Sequence, residues 1–177
     1  MIKQVQDFIE EFYKLHGPFK DVLDVGSLDV NGSVHEVFIR LGHEGGFTGM
    51  DMRDGKGVDV VLNGHDIDKN WKKPSFDLVL CCDTLEHDDR FWVTVEQMRK
   101  VLKPGGWLLI TVPSFFHGRH DHPSDYWRFL DTSLKDFMLQ GYEDAVVVTG
   151  AWSEGANNDR PDEIFGYGRK PNGRKKA

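Results

Sequence analysis

FDLVLCC, residues 76 to 82, and GWLLITVP, residues 106 to 113, are short and almost unbroken apolar runs. Successive side chains of a strand point to opposite faces, so runs of this kind must be covered on both. A sheet with one wet face cannot hold them. A parallel sheet with helices on either side can, and the helices are present. Residues 2 to 16 put Val5, Phe8, Ile9, Phe12 and Leu15 on one stripe, and Gly17-Pro18 stops that helix. NGSVHEVFIRLG reads as a second helix with Val34, Val37, Phe38 and Leu41 apolar. Residues 89 to 102 give a third, turned inward on Phe91, Val95, Met98 and Leu102, and Leu130 to Gln140 a fourth. Between them lie strands at DVLDVG, FTGMDM, GVDVVLN, FDLVLCC, GWLLITVP, YEDAVVV and EIFGYG. Strand and helix in alternation predict an α/β fold with a doubly wound, mostly parallel seven-stranded sheet. No repeat, low-complexity linker or second core interrupts residues 1 to 177, so one domain is expected, with a basic tail over 168 to 177.

Charge and composition narrow the function. The net charge of −7 disfavours a broad nucleic-acid surface, which needs clustered Lys and Arg. No apolar run approaches the roughly 18 residues of a membrane span, and MIKQVQDFIEEFYKLHG has neither an apolar signal core nor the acid-poor character of a transit peptide. A cytoplasmic protein without a membrane or nucleic-acid partner is expected. Its two cysteines, Cys81 and Cys82, are neighbours on one strand that point apart, poorly placed for a disulfide or a metal clip.

Open parallel sheets bind ligands beyond the carboxyl ends of their strands. The first strand leaves through VLDVGSLDVNGSV, where Gly26 permits a tight turn and a close backbone approach. The second ends in Asp51, where a carboxylate can accept from ribose hydroxyls. Asp66 follows the third strand, and the fourth exits into CCDTLEHDD, whose Glu86 and His87 either cap a helix or border a site. HGRHDHPSDYWRF, residues 117 to 129, is a polar, aromatic connection after the fifth strand. Its H-x-x-H-x-H spacing with Asp121 and Asp125 offers metal ligands, but it lacks a helical i, i+4 pair and cysteine support, so no metal is expected. The same residues suit an acceptor pocket, or the packing of the helix that follows.

Taken in order, VLDVGSLDVNGS, TGMD, GVDVV, SFDLVLCCDTLEH, MRKVLKPGGWLLITVPS and HPSDYWRF resemble the class I S-adenosylmethionine-dependent methyltransferases, and more closely their type 11 members. The resemblance implies a Rossmann-like sheet with its last strand antiparallel, and S-adenosylmethionine as cofactor, leaving as S-adenosylhomocysteine. It places Asp24 at the cofactor, with Gly26, Ser27, Asn31 and Gly32 at its methionine portion, Asp51 at the ribose, and Met52, Asp66 and Ile67 around the adenine. Cys82 and Asp83 would border the sulfonium. The commoner pattern is D-x-G-x-G-x-G; here serine replaces one glycine, and the Asn31-Gly32 pair lies further on. The acceptor side falls to His117, Tyr126, Trp127 and Arg128, with His87, His120 and His122 the candidate general bases. Methyl transfer to an O or N nucleophile of a small molecule such as a sugar is expected, in a monomer or homodimer. A non-catalytic cofactor-binding protein is the alternative on this fold. An NAD-dependent oxidoreductase would share Gly26 and Asp51, but needs G-x-G-x-x-G and usually Tyr-x-x-x-Lys, and neither is present.

Overall fold

The computed structural model describes residues 3–120, 124–151, 157 and 159–173. His122 and Asp121 of the histidine-rich stretch, and residues 174–177 of the basic tail, lie outside them. In chain order the main elements are α1 (Lys3–His16), β1 (Asp21–Val25), α2 (Val34–Arg40), β2 (Gly46–Asp51), β3 (Val60–Val61), α3 (Ile67–Asn70), β4 (Phe76–Cys82), α4 (Phe91–Val101), β5 (Leu102–Pro113), a π-helical segment (Ser133–Met138), β6 (Glu143–Gly150) and β7 (Glu163–Arg169). The sheet order is β3-β2-β1-β4-β5-β7-β6, with β7 antiparallel to both of its neighbours. The fold is therefore the expected doubly wound, mostly parallel sheet.

Alternation along the central strands sorts side chains into two layers. Val22, Leu78, Leu80, Leu109 and Phe165 meet α1 and α2 through Val5, Ile9, Phe12, Val34, Val37 and Phe38. Leu23, Val25, Val79, Cys81, Leu108 and Ile110 face α4 and the π-helical segment through Val95, Met98, Val101, Leu134 and Met138. Each fully buried aliphatic chain contributes about 1.5–3 kcal/mol. Alone, the seven-residue α2 would not be stable, since isolated helices need roughly 12–15 residues. Sheet contact therefore holds it.

Three local expectations are corrected. Leu15 is 72% exposed; the buried stripe of α1 runs Val5, Ile9, Phe12 and then on to His16, whose ring lies 4.0 Å from that of Trp107. The helix expected over Leu130 to Gln140 is shorter and partly π-helical, confined to Asp131–Met138. The third strand shrinks to Val60–Val61, because the chain before it folds back on β1 and β2: Asp29 N donates to Lys56 O and Asp59 N to Gly49 O.

Candidate active site

In this strand order the connections leaving β1 and β4 diverge to opposite sides of the sheet, and a cleft opens between them beyond the strand ends. It is a cavity of about 740 Å³, well within the range of small-molecule sites. Gly26 sets its floor. With φ +85° it turns the chain sharply out of β1, and both Gly26 N and Ser27 N donate to Met50 O, at 2.8 and 3.0 Å. A Cβ on Gly26 would stand 2.0 Å from Thr84 Oγ1, so the β1 and β4 exits meet as closely as glycine allows. The next turn is held by Asp29, which accepts from Gly32 N at 2.8 Å and Lys56 Nζ at 2.6 Å; both lower its pKa, the lysine more.

One end of the cavity gathers Asp24, Gly26, Ser27, Asn31, Gly32, Asp51, Met52, Cys82 and Asp83. Asp24 is buried at the end of β1, and desolvation, with the Asp51 charge second, pushes its carboxyl up to about 7. Asp51 Oδ1 accepts from Arg53 N at 2.8 Å. Asp83 takes a positive φ of 47°, fixed by Asp83 N donating to Thr111 O and Thr111 Oγ1 donating to Asp83 Oδ1 at 2.7 Å. Burial raises the Cys82 thiol well above its ordinary range, so it stays neutral.

Asp66 and Ile67 are not brought to the cavity. A short 3₁₀ turn capped by Asn63 turns Asp66 out to Lys69, 2.8 Å away, and drives Ile67 fully into the core. Leu62, Asn63, Gly64 and His65 line the wall instead, and nothing in the local residue pattern distinguishes them from their neighbours.

The other end is built from the turn after β4 and the connection after β5. Glu86 has 0% exposure, so helix capping is not its role; neither of its carboxylate oxygens has a hydrogen-bond donor. His87 Nε2 lies 3.6 Å and His120 Nε2 3.5 Å from Glu86 Oε1, and the two rings meet edge to face with centroids 5.0 Å apart. Burial raises the Glu86 pKa, and Glu86 in turn raises that of His120. His117 and Tyr126 join this wall. So does Glu163, from the start of β7, an acid that sequence reasoning missed; burial and then the Asp83 charge push it well above the usual carboxylate range. Its one sequence signal is an acid opening the apolar run EIFGYG. Among the described lining residues seven are acids, against a single Lys or Arg, Arg53, which suits a cationic ligand.

Trp127 and Arg128 are turned away from the cavity. Trp127 packs edge-on against Phe91 and Trp92, and its Nε1 donates to Asp88 O at 2.8 Å. Arg128 spends its fork on the loop itself: Nη1 to Asp125 Oδ1 at 2.5 Å, Nη2 to Asp125 Oδ2 at 2.6 Å and to Gly118 O, and Nε to His117 O. This clamp holds the Asp125 carboxyl down to about 2. Arg128→Met is expected to cost about 3 kcal/mol, because it strands a carboxylate whose side chain is 2% exposed. Since Asp125 has a depressed folded pKa, the loss should be full above pH 4 and fade as pH falls towards 2. Urea denaturation at pH 7 and pH 3 measures both, and equal losses would refute the clamp.

No curated protein matches the chain in sequence. Its fold is shared with solved structures of low identity. A SAM-dependent methyltransferase from Archaeoglobus fulgidus superposes with a TM-score of 0.69 at 14% identity, over 95% of this chain and 94% of that one. The Burkholderia thailandensis 1,6-didemethyltoxoflavin-N1-methyltransferase, solved with its substrate and S-adenosylhomocysteine, gives 0.65 at 19% identity, over 96% and 77%. N-methyltransferase NodS from Bradyrhizobium japonicum WM9 with S-adenosyl-L-homocysteine gives 0.62 at 14%, over 96% and 87%. Residues 1–138 match the family model described as a methyltransferase domain. With the sheet order, the Gly26 turn and the acid-lined cleft, that match over most of its length makes the chain a member of the methyltransferase domain family.

Proposed function

We propose that this chain is an S-adenosylmethionine-dependent methyltransferase acting on an O or N nucleophile of a small molecule. The observation that carries this reading is the continuity of one cavity from the Gly26–Asp51 end to the Glu86–His87–His120 end. A cofactor at the first end supplies an already activated methyl group on a cationic sulfur. The work left to the chain is alignment and exclusion of water, worth roughly 7–11 kcal/mol in favourable cases. Asp51 and Asp83 give that end the negative character a sulfonium requires, while the Gly26–Thr84 contact closes its floor. During transfer the acceptor's lone pair forms the new bond to carbon and the C–S pair returns to sulfur. His87 and His120, with Glu86 behind them, are the groups placed to act on the acceptor atom, and Tyr126 and His117 wall the space it occupies. A cleft of this size fits a metabolite rather than a polymer.

Isothermal titration calorimetry with S-adenosylmethionine, S-adenosylhomocysteine and NAD tests the cofactor. The first two are expected to bind with one site and NAD not at all; NAD binding alone would overturn the reading. Mass spectrometry of a pooled metabolite extract incubated with protein and methyl-deuterated cofactor then tests turnover. Cofactor binding with no labelled acceptor from any extract would leave a binding protein rather than an enzyme.

A further inference from the structure

At the acceptor end three potential ligand atoms, one each from Glu86, His87 and His120, lie within 4.8 Å of one another. Three further observations make this more than a cluster of polar residues. Glu86 is fully buried, lines the cavity, and neither of its oxygens has a hydrogen-bond donor. A buried carboxylate needs a positive partner, which either a protonated imidazole or a cation held between the two imidazoles supplies.

The imidazoles are also oriented from behind. His87 Nδ1 is bonded to the carbonyl of Ser124, which can only accept, so Nδ1 is the donor and Nε2 is the nitrogen turned towards Glu86. Holding the remote ring nitrogen against a carbonyl is how proteins fix a histidine that ligates through the other. His120 is held through its backbone: His120 N donates to Asp125 Oδ2 at 2.7 Å, and Asp125 is locked by Arg128. The loop clamp therefore serves to place His120.

The spacing fits as well. Ligand atoms about 2.0–2.2 Å from a tetrahedral ion stand roughly 3.3–3.6 Å apart. The Glu86 Oε1 distances to His87 Nε2 and His120 Nε2 are 3.6 and 3.5 Å. No lysine or arginine among the described residues lines this end to neutralise Glu86 instead, since Arg53 stands beside Asp51.

We propose that Glu86, His87 and His120 form a three-ligand site for a divalent transition metal such as Zn²⁺ or Fe²⁺, with its open positions facing the cavity. Two imidazoles and one carboxylate are a donor set suited to borderline ions, and three protein ligands leave room for an incoming oxygen or nitrogen. The role of the metal rests on the methyltransferase reading. A coordinated acceptor hydroxyl releases its proton to water at the cavity mouth, and its oxygen attacks the methyl carbon as the C–S pair leaves to sulfur. The set differs from the H-x-x-H-x-H spacing of the linear stretch, because two of its three ligands come from the turn after β4.

The test is titration of chelator-treated full-length protein with Zn²⁺ by calorimetry and with Co²⁺ by visible absorption, beside S-adenosylhomocysteine binding on the same samples. One equivalent of metal is expected, with Co²⁺ ligand-field bands of a low-coordinate site, and Glu86→Gln and His120→Ala are each expected to weaken it about 10- to 100-fold or more. S-adenosylhomocysteine affinity should stay near wild type in both, which also shows that they are folded. Absence of saturable metal binding would overturn the proposal. So would a metal site that survives Glu86→Gln but is lost in His65→Gln, which would move it to the second cluster, His65, Asp88 and Asp89. A protein that binds metal as described but not S-adenosylhomocysteine would uphold the site and sink the methyltransferase reading instead.

Discussion

Replacing Gly26 by alanine is expected to abolish S-adenosylhomocysteine binding and to lower unfolding stability by about 2–5 kcal/mol. Two costs add. The residue holds φ +85°, a conformation that costs an L side chain roughly 1–2 kcal/mol. The new methyl would also stand 2.0, 2.5 and 2.7 Å from Oγ1, Cγ2 and Cβ of Thr84. Thr84 cannot swing away freely, because its hydroxyl donates to Cys82 O at 3.0 Å. Relief must therefore come from parting the β1 and β4 exits, which is where the cofactor end is floored. The double variant Gly26→Ala, Thr84→Gly separates the two costs. It should recover the overpacking part and keep the dihedral part. Denaturant unfolding of the four proteins in the cycle, with calorimetry for the ligand, measures this. A single variant with wild-type stability and binding would show that the contact is not what shapes the site.

Asp24→Asn should act in the opposite direction and only at high pH. The folded carboxyl keeps its proton up to about 7, whereas an unfolded aspartate loses it near 4. Between those values the folded state binds more protons than the unfolded state, so stability falls as pH rises through the window. At about 1.36 kcal/mol per unit, the charged form costs on the order of 4 kcal/mol by pH 8. Asparagine carries no such penalty and is nearly isosteric. The variant should match wild type at pH 4 and exceed it by a few kcal/mol at pH 8. Thermal unfolding across that range decides it, and a pH-independent difference would mean that Asp24 is ionised in the folded protein at little cost.

The layers were legible because period-two burial leaves its mark on composition. Leu78 and Leu80 on one face, Val79 and Cys81 on the other, can be read directly from FDLVLCC. Strand ends were legible for the same reason, and with them the positions of Gly26, Asp51, Cys82 and Asp83. What was not legible depends on contacts distant in sequence or on the hand of a short turn. Asp66 looks like the polar residue after β3, but one 3₁₀ turn rotates it to Lys69 and hands the wall to Asn63 and His65. Arg128 resembles a free anion fork until the loop closes and its partner proves to be Asp125. Leu15 belongs to the apolar stripe by spacing alone; the sheet beneath presents Trp107 of β5, whose ring lies 4.0 Å from that of His16 instead. Glu86 was ambiguous because a helix cap and a residue bordering a site share one residue type, and its burial speaks against the cap.

The place of β7 has a consequence for the order in which the molecule can be completed. It is the last strand among the described residues, yet it lies between β5 and β6 and provides the pairing partner for both. Until it arrives, β6 has no neighbour to pair with and β5 presents an open edge. The β5–β7 pairing can form only once residues 163–169 have been made, after all the other strands. Glu163 enters the cavity on that same strand, opposite Pro113. During synthesis, then, a nascent chain can close the Gly26–Thr84 floor and even dock α4 while its acceptor wall is still missing. The finished pocket marks the moment when the final strand has been threaded home.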